Sequence, residues 1–471
     1  MPVGSGAQAV MIRGVVPGFL FLLCFLFAGA NAFGGGAREA AGAAQLTVAT
    51  VNNPDMAIMQ QLSGDFTAST GIRLNFVVLP ENELRQKVTE DVGLGSGKYD
   101  VVTIGTYDTP IWGHNGWLVS LEPFFTGMSV AERDGYARDD LLPTIRAALS
   151  HNDEQYALPF YGESSMMFYR TDLFARAGIT MPRKPTWQQV YDFAVKLKGM
   201  DGCYGIVLRG LPGWGEVLAP FNTVVNAFGG RWFDEGWNPA FGEPAMAEAW
   251  RFYKRLLADA GEPNPTTDGY TECLAIMESG KAAMWYDATV SAGALSARDS
   301  KVVGRIGYAQ APSARKGNTG WLWAWALGIE SSSKHPAEAF RFITWATDRK
   351  YVSLVGGRIG WAQVPPGTRV STYNNPAYLA AAPFAGIVLH SIQSADYERP
   401  TVLPVPYQGI QYVSIPEFQS LGEAVSQQLA AYIAGQKSLP QALSDSQAAA
   451  LKVAREGGYL SGVPRREPRQ R

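Results

Sequence analysis

The sequence predicts an α/β protein with two lobes, and three observations carry this prediction. The chain has 471 residues, which exceeds what a single hydrophobic core normally holds. From Leu46 onward, short β-branched strands alternate with helical periodicity, as in a parallel sheet with right-handed crossovers. The alternation starts again after Pro159, which indicates a second α/β lobe.

The composition limits the classes of function. Hydrophobic residues make up 46% of the chain and charged residues 17%, so the protein is globular and not disordered. The net charge of −2 argues against electrostatic binding to nucleic acid or to an anionic membrane. The 13 Trp and 20 Tyr residues are partly core, but exposed rings also stack on the C–H faces of sugars and polyols.

The N-terminus has the features of a secretory signal. Arg13 precedes an apolar run, Val15–Ala28, which ends in the small-x-small pattern Ala30-Asn31-Ala32. We therefore predict a signal peptide over residues 1–32, cleaved after Ala32; an uncleaved anchor is the alternative, but the run is short for a membrane span. Residues 33–44 are predicted to be a flexible leader and residues 461–471 a disordered basic tail.

Two cysteines, Cys203 and Cys273, remain after cleavage. An exported protein meets an oxidising compartment, so a disulfide is one interpretation and two buried thiols are the other. The sequence leaves both open.

The first lobe is predicted from three strands, over Leu46–Val51, Arg73–Leu79 and Tyr99–Gly105. A helix begins after the cap Asn53 and closes at Gly71, and another covers Glu81–Val92. In parallel sheets, ligands bind beyond the carboxyl ends of the strands. The polar residues directly past these ends are listed here: Asn52, Glu81, Thr106, Tyr107 and Asp108.

The elements predicted further along are listed here: a helix from Thr171 to Gly178, a helix after the cap Thr186, strands over Ile206–Arg209, Ala282–Asp287, Ile306–Ala309 and Trp321–Ile329, and helices over Glu243–Ala260, Pro336–Thr347 and Ser438–Glu456.

Two stretches combine aromatic and polar side chains in a way that suggests a ligand site. Pro159–Arg170 (PFYGESSMMFYR) places Glu163 and two serines between aromatic residues; an ordinary strand with a polar turn is the alternative. Gly320–Leu327 (GWLWAWAL) puts Trp321, Trp323 and Trp325 on one strand face. Any single indole is readily explained as core, but a row of three favours at least one that stacks on a ligand.

Signatures of several enzyme classes are missing. The four histidines have no metal-ligand spacing, and no G-x-S-x-G elbow occurs. Gly280-Lys281 is followed by Ala282 instead of Ser or Thr, so no phosphate loop is present. We therefore predict no metal and no cofactor. Glycoside hydrolases need only two carboxylates, so the missing motifs do not exclude this class of enzyme.

Eight motifs resemble one protein family: ATVNN (Ala49–Asn53), IGTYDTPIWG (Ile104–Gly113), PFYGESSMMFYR, LRGLPGWGE (Leu208–Glu216), FGGRWFDE (Phe228–Glu235), MWYDATV (Met284–Val290), GWLWAWAL and PPGTR (Pro365–Arg369). They are similar to the sorbitol/mannitol branch of the family 1 extracellular solute-binding proteins, the periplasmic components of ABC importers. The similarity extends from about Leu46 to Tyr459.

The resemblance implies the type II, maltose-binding-protein-like fold, with a ligand cleft between two α/β lobes. It implies a chain that crosses between the lobes: lobe 1 would hold residues 45–159 and 312–355, and lobe 2 residues 160–311 and 356–460. It also implies a periplasmic protein, expected to be a monomer, whose partners are a polyol or sugar and the permease subunits of the transporter.

Ligand-binding residues are carried over position by position. Asp108, Glu163 and Asp287 match cleft carboxylates of the family, and each has a surface cap or salt bridge as its alternative role. The looser matches are Asn52, Glu81, Tyr107, Tyr161, Arg209, Trp214 and Trp323. A carboxylate can accept from two neighbouring hydroxyls of a polyol, while Arg209 or Asn52 donates back.

The sequence thus predicts a binding protein that captures a linear polyol by lobe closure and is not an enzyme. The main alternative is a secreted glycoside hydrolase that uses Glu163 with Asp287 or Asp108. A sensor subunit that presents its ligand to a membrane receptor is a third interpretation.

Overall fold

The computed structural model describes residues 44–460. The predicted signal peptide (1–32), residues 33–43 of the leader and the predicted tail (461–471) lie outside the described residues. None of the helices in the described part of the chain is long and apolar enough to cross a membrane.

The strands of residues 44–460 are β1 (Gln45–Val51), β2 (Arg73–Leu79), β3 (Val101–Gly105), β4 (Ser150–His151), β5 (Glu154–Gln155), β6 (Ala157–Glu163), β7 (Ser165–Arg170), β8 (Met284–Ala288), β9 (Ile306–Gln310) and β10 (Trp323–Ile329).

The α-helices are α1 (Pro54–Leu62), α2 (Gly64–Thr70), α3 (Glu81–Leu94), α4 (Asp108–His114), α5 (Glu122–Gly127), α6 (Val130–Tyr136), α7 (Pro143–Ala148), α8 (Thr171–Arg176), α9 (Trp187–Leu197), α10 (Leu218–Phe228), α11 (Pro244–Ala260), α12 (Tyr270–Glu278), α13 (Ser291–Leu295), α14 (Pro336–Thr347), α15 (Arg349–Arg358), α16 (Val370–Tyr373), α17 (Pro376–Ala381), α18 (Ala385–Gln393), α19 (Phe418–Ile433) and α20 (Leu439–Glu456).

A five-stranded sheet forms the first layer, in the order β2-β1-β3-β10-β6. β1 pairs in parallel with β2 and with β3, as the strand–helix alternation predicted. β10 runs antiparallel to β3 and to β6. Because of this reversal, the start of β10 lies at the same edge as the carboxyl ends of β1, β2 and β3, and the indoles at that start are brought to the ligand edge.

A second sheet has three antiparallel strands in the order β8-β7-β9. β7 begins two residues after β6 ends, so the chain passes from one sheet to the other at Ser164. Each sheet is covered by helices, which gives two α/β layers as predicted. The residue boundaries of the two lobes stay a prediction.

Most predicted elements agree with the structure, since local periodicity and caps specify them. Asn53 caps α1 through the backbone N–H of Met56, and Thr186 forms a capping box with Gln189. α14 has the predicted bounds. The first predicted helix divides into α1 and α2 at Ser63, and Gly71 closes α2 in the left-handed region with φ +76°.

The strand predicted over Ile206–Arg209 was wrong. Val207 makes an isolated bridge to Trp285. The backbone N–H groups of Gly205 and Ile206 donate instead to the carbonyl of Ala260 at the end of α11, so no continuous ladder forms.

Both cysteines of the described chain are buried free thiols. Cys273 is fully enclosed, and the Cys203 thiol donates to the carbonyl of Gly280 at 3.1 Å. Of the two interpretations left open above, the structure agrees with two buried thiols and not with a disulfide.

Glu330, directly after β10, makes the stability of this sheet depend on pH. Burial and the neighbouring Asp91 carboxylate raise the pKa of Glu330 from 4.5 to about 9. The folded state therefore holds this proton to a higher pH than the unfolded chain does, so the free energy of unfolding falls as pH rises between these two values.

We expect Glu330→Gln to remove this dependence. The free energy of unfolding of the variant minus that of wild type should be more than about 1 kcal/mol larger at pH 8 than at pH 5, since one pKa unit corresponds to 1.36 kcal/mol. Urea unfolding at both pH values measures this, with the surface change Glu248→Gln as control. An equal stability difference at both pH values contradicts the assignment.

Candidate ligand-binding site

A cavity of about 220 Å³ lies at the edge where β1, β2 and β6 end and β10 begins. Its opposite wall comes from the turn over 209–216, from α10 and α12, and from the residues at the end of β8. The lining residues are Val51, Asn52, Asn53, Pro80, Glu81, Arg85, Tyr161, Glu163, Arg209, Leu211, Trp214, Gly215, Glu216, Ala219, Tyr270, Thr271, Glu272, Ala288, Val290, Trp321, Trp323, Trp325 and Gln411.

Most of the predicted site residues line this cavity: Asn52, Glu81, Tyr161, Glu163, Arg209, Trp214 and Trp323. The structure thus brings together residues that are up to 271 positions apart in the chain. Three predicted residues, Tyr107, Asp108 and Asp287, lie behind the cavity wall. Each of them supports a lining side chain, as described next.

Asp287 is fully buried and is occupied by protein donors. Its carboxylate accepts from Nε of Arg209 at 2.9 Å, from Nη2 of the same residue, and from the Trp285 indole at 3.1 Å. Direct contact between Asp287 and a ligand is a prediction that this geometry does not favour. The observed role of Asp287 is to orient Arg209.

Arg209 is the central cation of the wall opposite the five-stranded sheet. Besides its bonds to Asp287, its Nη1 donates to the carbonyl of Gly215 at 2.9 Å and lies 3.6 Å from Glu216. Burial together with the Glu81 carboxylate raises the pKa of Glu216 to about 8. Arg209 is thus held by protein groups on every side except the one that faces the cavity.

Arg85 on α3 is a site residue that the sequence reasoning missed. Its Nε and Nη2 donate to Glu81 at 3.2 and 2.8 Å, and Nη1 lies 3.5 Å from Asp108. The guanidinium carbon lies 4.0 Å from the centroid of Trp214 and 5.1 Å from that of Trp323. The signal in the sequence was the Glu81 to Arg85 spacing of four, which places both side chains on one helix face.

Asp108 and Tyr107 support the side chains of Arg85 and Trp214 from behind the cavity wall. Burial raises the pKa of Asp108, while Arg85 opposes the shift. The Tyr107 hydroxyl lies 3.0 Å from the carbonyl of Ile415, and its ring packs edge-on against Trp214 with centroids 5.1 Å apart. Both residues act on the cavity through the side chains they hold.

Glu163 ends β6 and points into the cavity with 6% of its surface exposed. Burial raises the pKa of this carboxyl well above its ordinary value; Asp287 adds to the shift, and Arg209 opposes it. The Trp321 side chain also opposes the shift. Glu163 is therefore placed to hydrogen-bond with the hydroxyl groups of a ligand.

The alternating indoles all reach the cavity. Trp321, Trp323 and Trp325 line it, and the register of the sheet pairs Trp323 with Glu163 and Trp325 with Gly105. Carboxylates, guanidinium groups and apolar rings thus line the same cavity. Such a lining matches a ligand with hydroxyls on an aliphatic backbone.

Three further lining residues had no distinctive signal in the sequence. Asn53, predicted only as a helix cap, also donates from Nδ2 to the Tyr161 hydroxyl at 2.9 Å. Tyr270 and Gln411 come from elements distant in sequence. Their place in the site depends on tertiary packing alone.

We expect Asp108→Ala to weaken ligand binding by more than tenfold, because removing one partner of a buried charged pair costs about 2–5 kcal/mol. The loss would act through Arg85, which loses its second carboxylate. Calorimetry measures the change, with the surface variant Asp259→Ala as control. A loss smaller than threefold would show that Glu81 alone holds Arg85 in place.

Comparison with known proteins agrees with this architecture. The family described as "Bacterial extracellular solute-binding protein" matches residues 50–352. The chain is 47% identical over 424 residues to the mannitol-binding protein of Pseudomonas aeruginosa, covering 89% of this chain and 95% of that protein.

Two solved structures share the fold. A solute-binding protein of an ABC transporter from Agrobacterium vitis, with bound D-mannitol, superposes with a TM-score of 0.85 at 46% identity, over 88% of this chain and 99% of that one. A maltose-bound protein of T. maritima has a TM-score of 0.74 at 18% identity, over 87% and 100% of the two chains, and shows the fold alone.

The fold and the enclosed polar cavity define a receptor for a small solute, of the maltose-binding-protein type predicted above. The chain belongs to the family of bacterial extracellular solute-binding proteins. It is a binding protein and not an enzyme. The geometry agrees, because Asp287 and Asp108, the proposed partners of Glu163 in a hydrolase, are both engaged by arginines.

Proposed function

We propose that this protein captures a linear polyol of the mannitol or sorbitol type in the periplasm and delivers it to the permease of an ABC importer. The observation that carries the proposal is the cavity lining, which combines three indoles with two arginines that are each paired with a carboxylate. Neighbouring hydroxyls of a polyol pair with the charged groups, and its C–H faces lie on the rings. The similarity to a mannitol-binding protein and to a mannitol-bound structure supports the same ligand class.

Enclosure of the ligand explains how such a site discriminates. Glu163, Arg209 and Arg85 are each at least nine-tenths buried, so a ligand that lacks a hydroxyl leaves charged groups without partners. The contacts between the two walls, such as the bond from Asn82 Nδ2 to the carbonyl of Pro212 at 3.1 Å, hold the cavity shut. Closure around the ligand would present a surface to the permease that the open form lacks.

Calorimetry on the mature chain, beginning at Phe33, tests the proposal. D-mannitol, D-sorbitol and ribitol should bind more tightly than maltose or glucose, and the ligand should be recovered unchanged. Failure of every polyol to bind would overturn the ligand assignment. Product formed from a glycoside would instead favour the hydrolase.

The remaining parts of the proposal have their own tests. N-terminal sequencing of the periplasmic fraction should find Phe33 first if the signal peptide is cut after Ala32, and light scattering should give a monomer. Loss of polyol uptake in a deletion strain would distinguish transport from a sensing role.

A further inference from the structure

Both cations that line the cavity within residues 44–460 are already neutralised by protein carboxylates. Arg209 pairs with Asp287 through two nitrogens and lies 3.6 Å from Glu216. Its third nitrogen donates to the carbonyl of Gly215. An anionic ligand group would therefore compete with buried protein partners for this guanidinium.

Arg85 is engaged in the same way. Two of its nitrogens donate to Glu81, and the third lies 3.5 Å from Asp108. Its flat face is covered by the Trp214 ring. Both guanidinium charges are thus balanced by protein carboxylates, although Nη1 of Arg85 makes no hydrogen bond to the described chain.

Glu163 differs from the two arginines in its charge partners. Its carboxyl lines the cavity and is almost fully buried, but no arginine or lysine of the described chain forms an ion pair with it. The nearby Arg209 is turned toward Asp287. Among the described residues, Glu163 is therefore the one buried carboxyl group of the lining for which the protein supplies no cation; Glu272 also lines the cavity but is exposed.

From this imbalance we infer that Glu163 makes the cavity select ligands by charge. Polyols that end in an ammonium group are accepted, and polyols that end in a carboxylate are rejected. The inference rests on the proposed function, because it assumes that the ligand is a polyol. Glu163 is the residue that sets this specificity.

The physical reason is the cost of burying charge. A ligand carboxylate would lose its hydration in a cavity lined by Glu163 and Glu216 without gaining a free cation. An ammonium group in the same place stabilises the ionised form of Glu163, whose pKa burial otherwise raises, and donates a charge-assisted hydrogen bond to it. The cost of burying a neutral terminal hydroxyl lies between those of the carboxylate and the ammonium group.

Three ligands of equal length test this: D-sorbitol, 1-amino-1-deoxy-D-sorbitol and D-gluconate, titrated into the mature protein and followed by calorimetry and by indole fluorescence. In wild type we expect gluconate to bind at least about 30-fold more weakly than sorbitol, and the amine to bind within about tenfold of sorbitol, where a factor of ten is 1.4 kcal/mol. Gluconate binding within threefold of sorbitol would overturn the inference.

The variant Glu163→Gln assigns the effect to this residue. The ratio of gluconate affinity to amine affinity should shift toward gluconate by at least about tenfold, and it should stay unchanged in Glu248→Gln, which removes one negative charge at the surface. An unchanged ratio in Glu163→Gln would overturn the role of Glu163. If that variant fails to fold, the affinities of wild type for sorbitol, the amine and gluconate still test whether the cavity selects by charge.

The outcomes separate the inference from the proposed function. If sorbitol and mannitol bind but gluconate binds as well as they do, only the charge selection is overturned. If none of the polyols binds, the proposed function and the inference are both overturned.

Discussion

Replacement of Arg209 by methionine is expected to abolish polyol binding and to destabilise the fold by about 3–5 kcal/mol, the cost of leaving a buried charge uncompensated. Asp287, fully buried, would lose its cation, and Glu216 would lose its nearest one. Methionine fills a similar volume, so the loss reports on charge more than on packing. Urea unfolding measures the stability, and calorimetry measures the binding.

A second variant separates the two effects. Arg209→Met combined with Asp287→Asn removes the uncompensated carboxylate and should recover most of the lost stability, but it should not restore binding. Arg231→Met is the matched control, because its partner Glu243 lies outside the cavity and is partly exposed. If the double variant regains the wild-type affinity, Arg209 has no direct part in binding.

Gly105→Ala is expected to damage the cavity by a steric route. A Cβ on Gly105 would lie 1.8 Å from the Trp323 ring, which packs flat against this end of β3. The indole would have to move, and with it the wall beside Glu163, its partner in the sheet. Overpacking of this kind costs about 1–3 kcal/mol of stability, and we expect binding to weaken by more than tenfold.

The matched control is Gly135→Ala in α6, where nothing lies within 4 Å of an added Cβ. At that helical position alanine should be neutral or stabilise by up to about 1 kcal/mol. Thermal unfolding and calorimetry are compared for the two variants. Wild-type affinity in Gly105→Ala would mean that the position of Trp323 is not important for the site.

The order of strands and helices could be predicted because local signals specify it. The β1 to β3 segment has clear strand and cap patterns, and the observed parallel pairing follows from them. Topology also predicted correctly that Asn52 and Glu81 would reach one edge. The strand over Ile206–Arg209 failed because its amides bond to the end of α11, a partner that no local pattern reveals.

The sequence predicted which residue types form the site better than it predicted which of them face the cavity. The family resemblance predicted three carboxylates as ligand contacts, and Glu163 does line the cavity. Asp108 and Asp287 have the same chemistry but lie behind the wall, each beside an arginine. Residue type does not distinguish a carboxylate that faces a ligand from one that orients a neighbour.

The sequence by itself determined the α/β elements, the edge at which a ligand binds and the resemblance to polyol receptors, since these depend on periodicity, strand order and contiguous motifs. Only the tertiary structure decided which charges remain free. Arg209 and Asp287 are 78 positions apart, and Arg85 meets Trp214 across the cavity. Pairing over such distances depends on how helices pack on two sheets, and it leaves Glu163 as the buried carboxyl group of the lining that has no ion pair among the described residues.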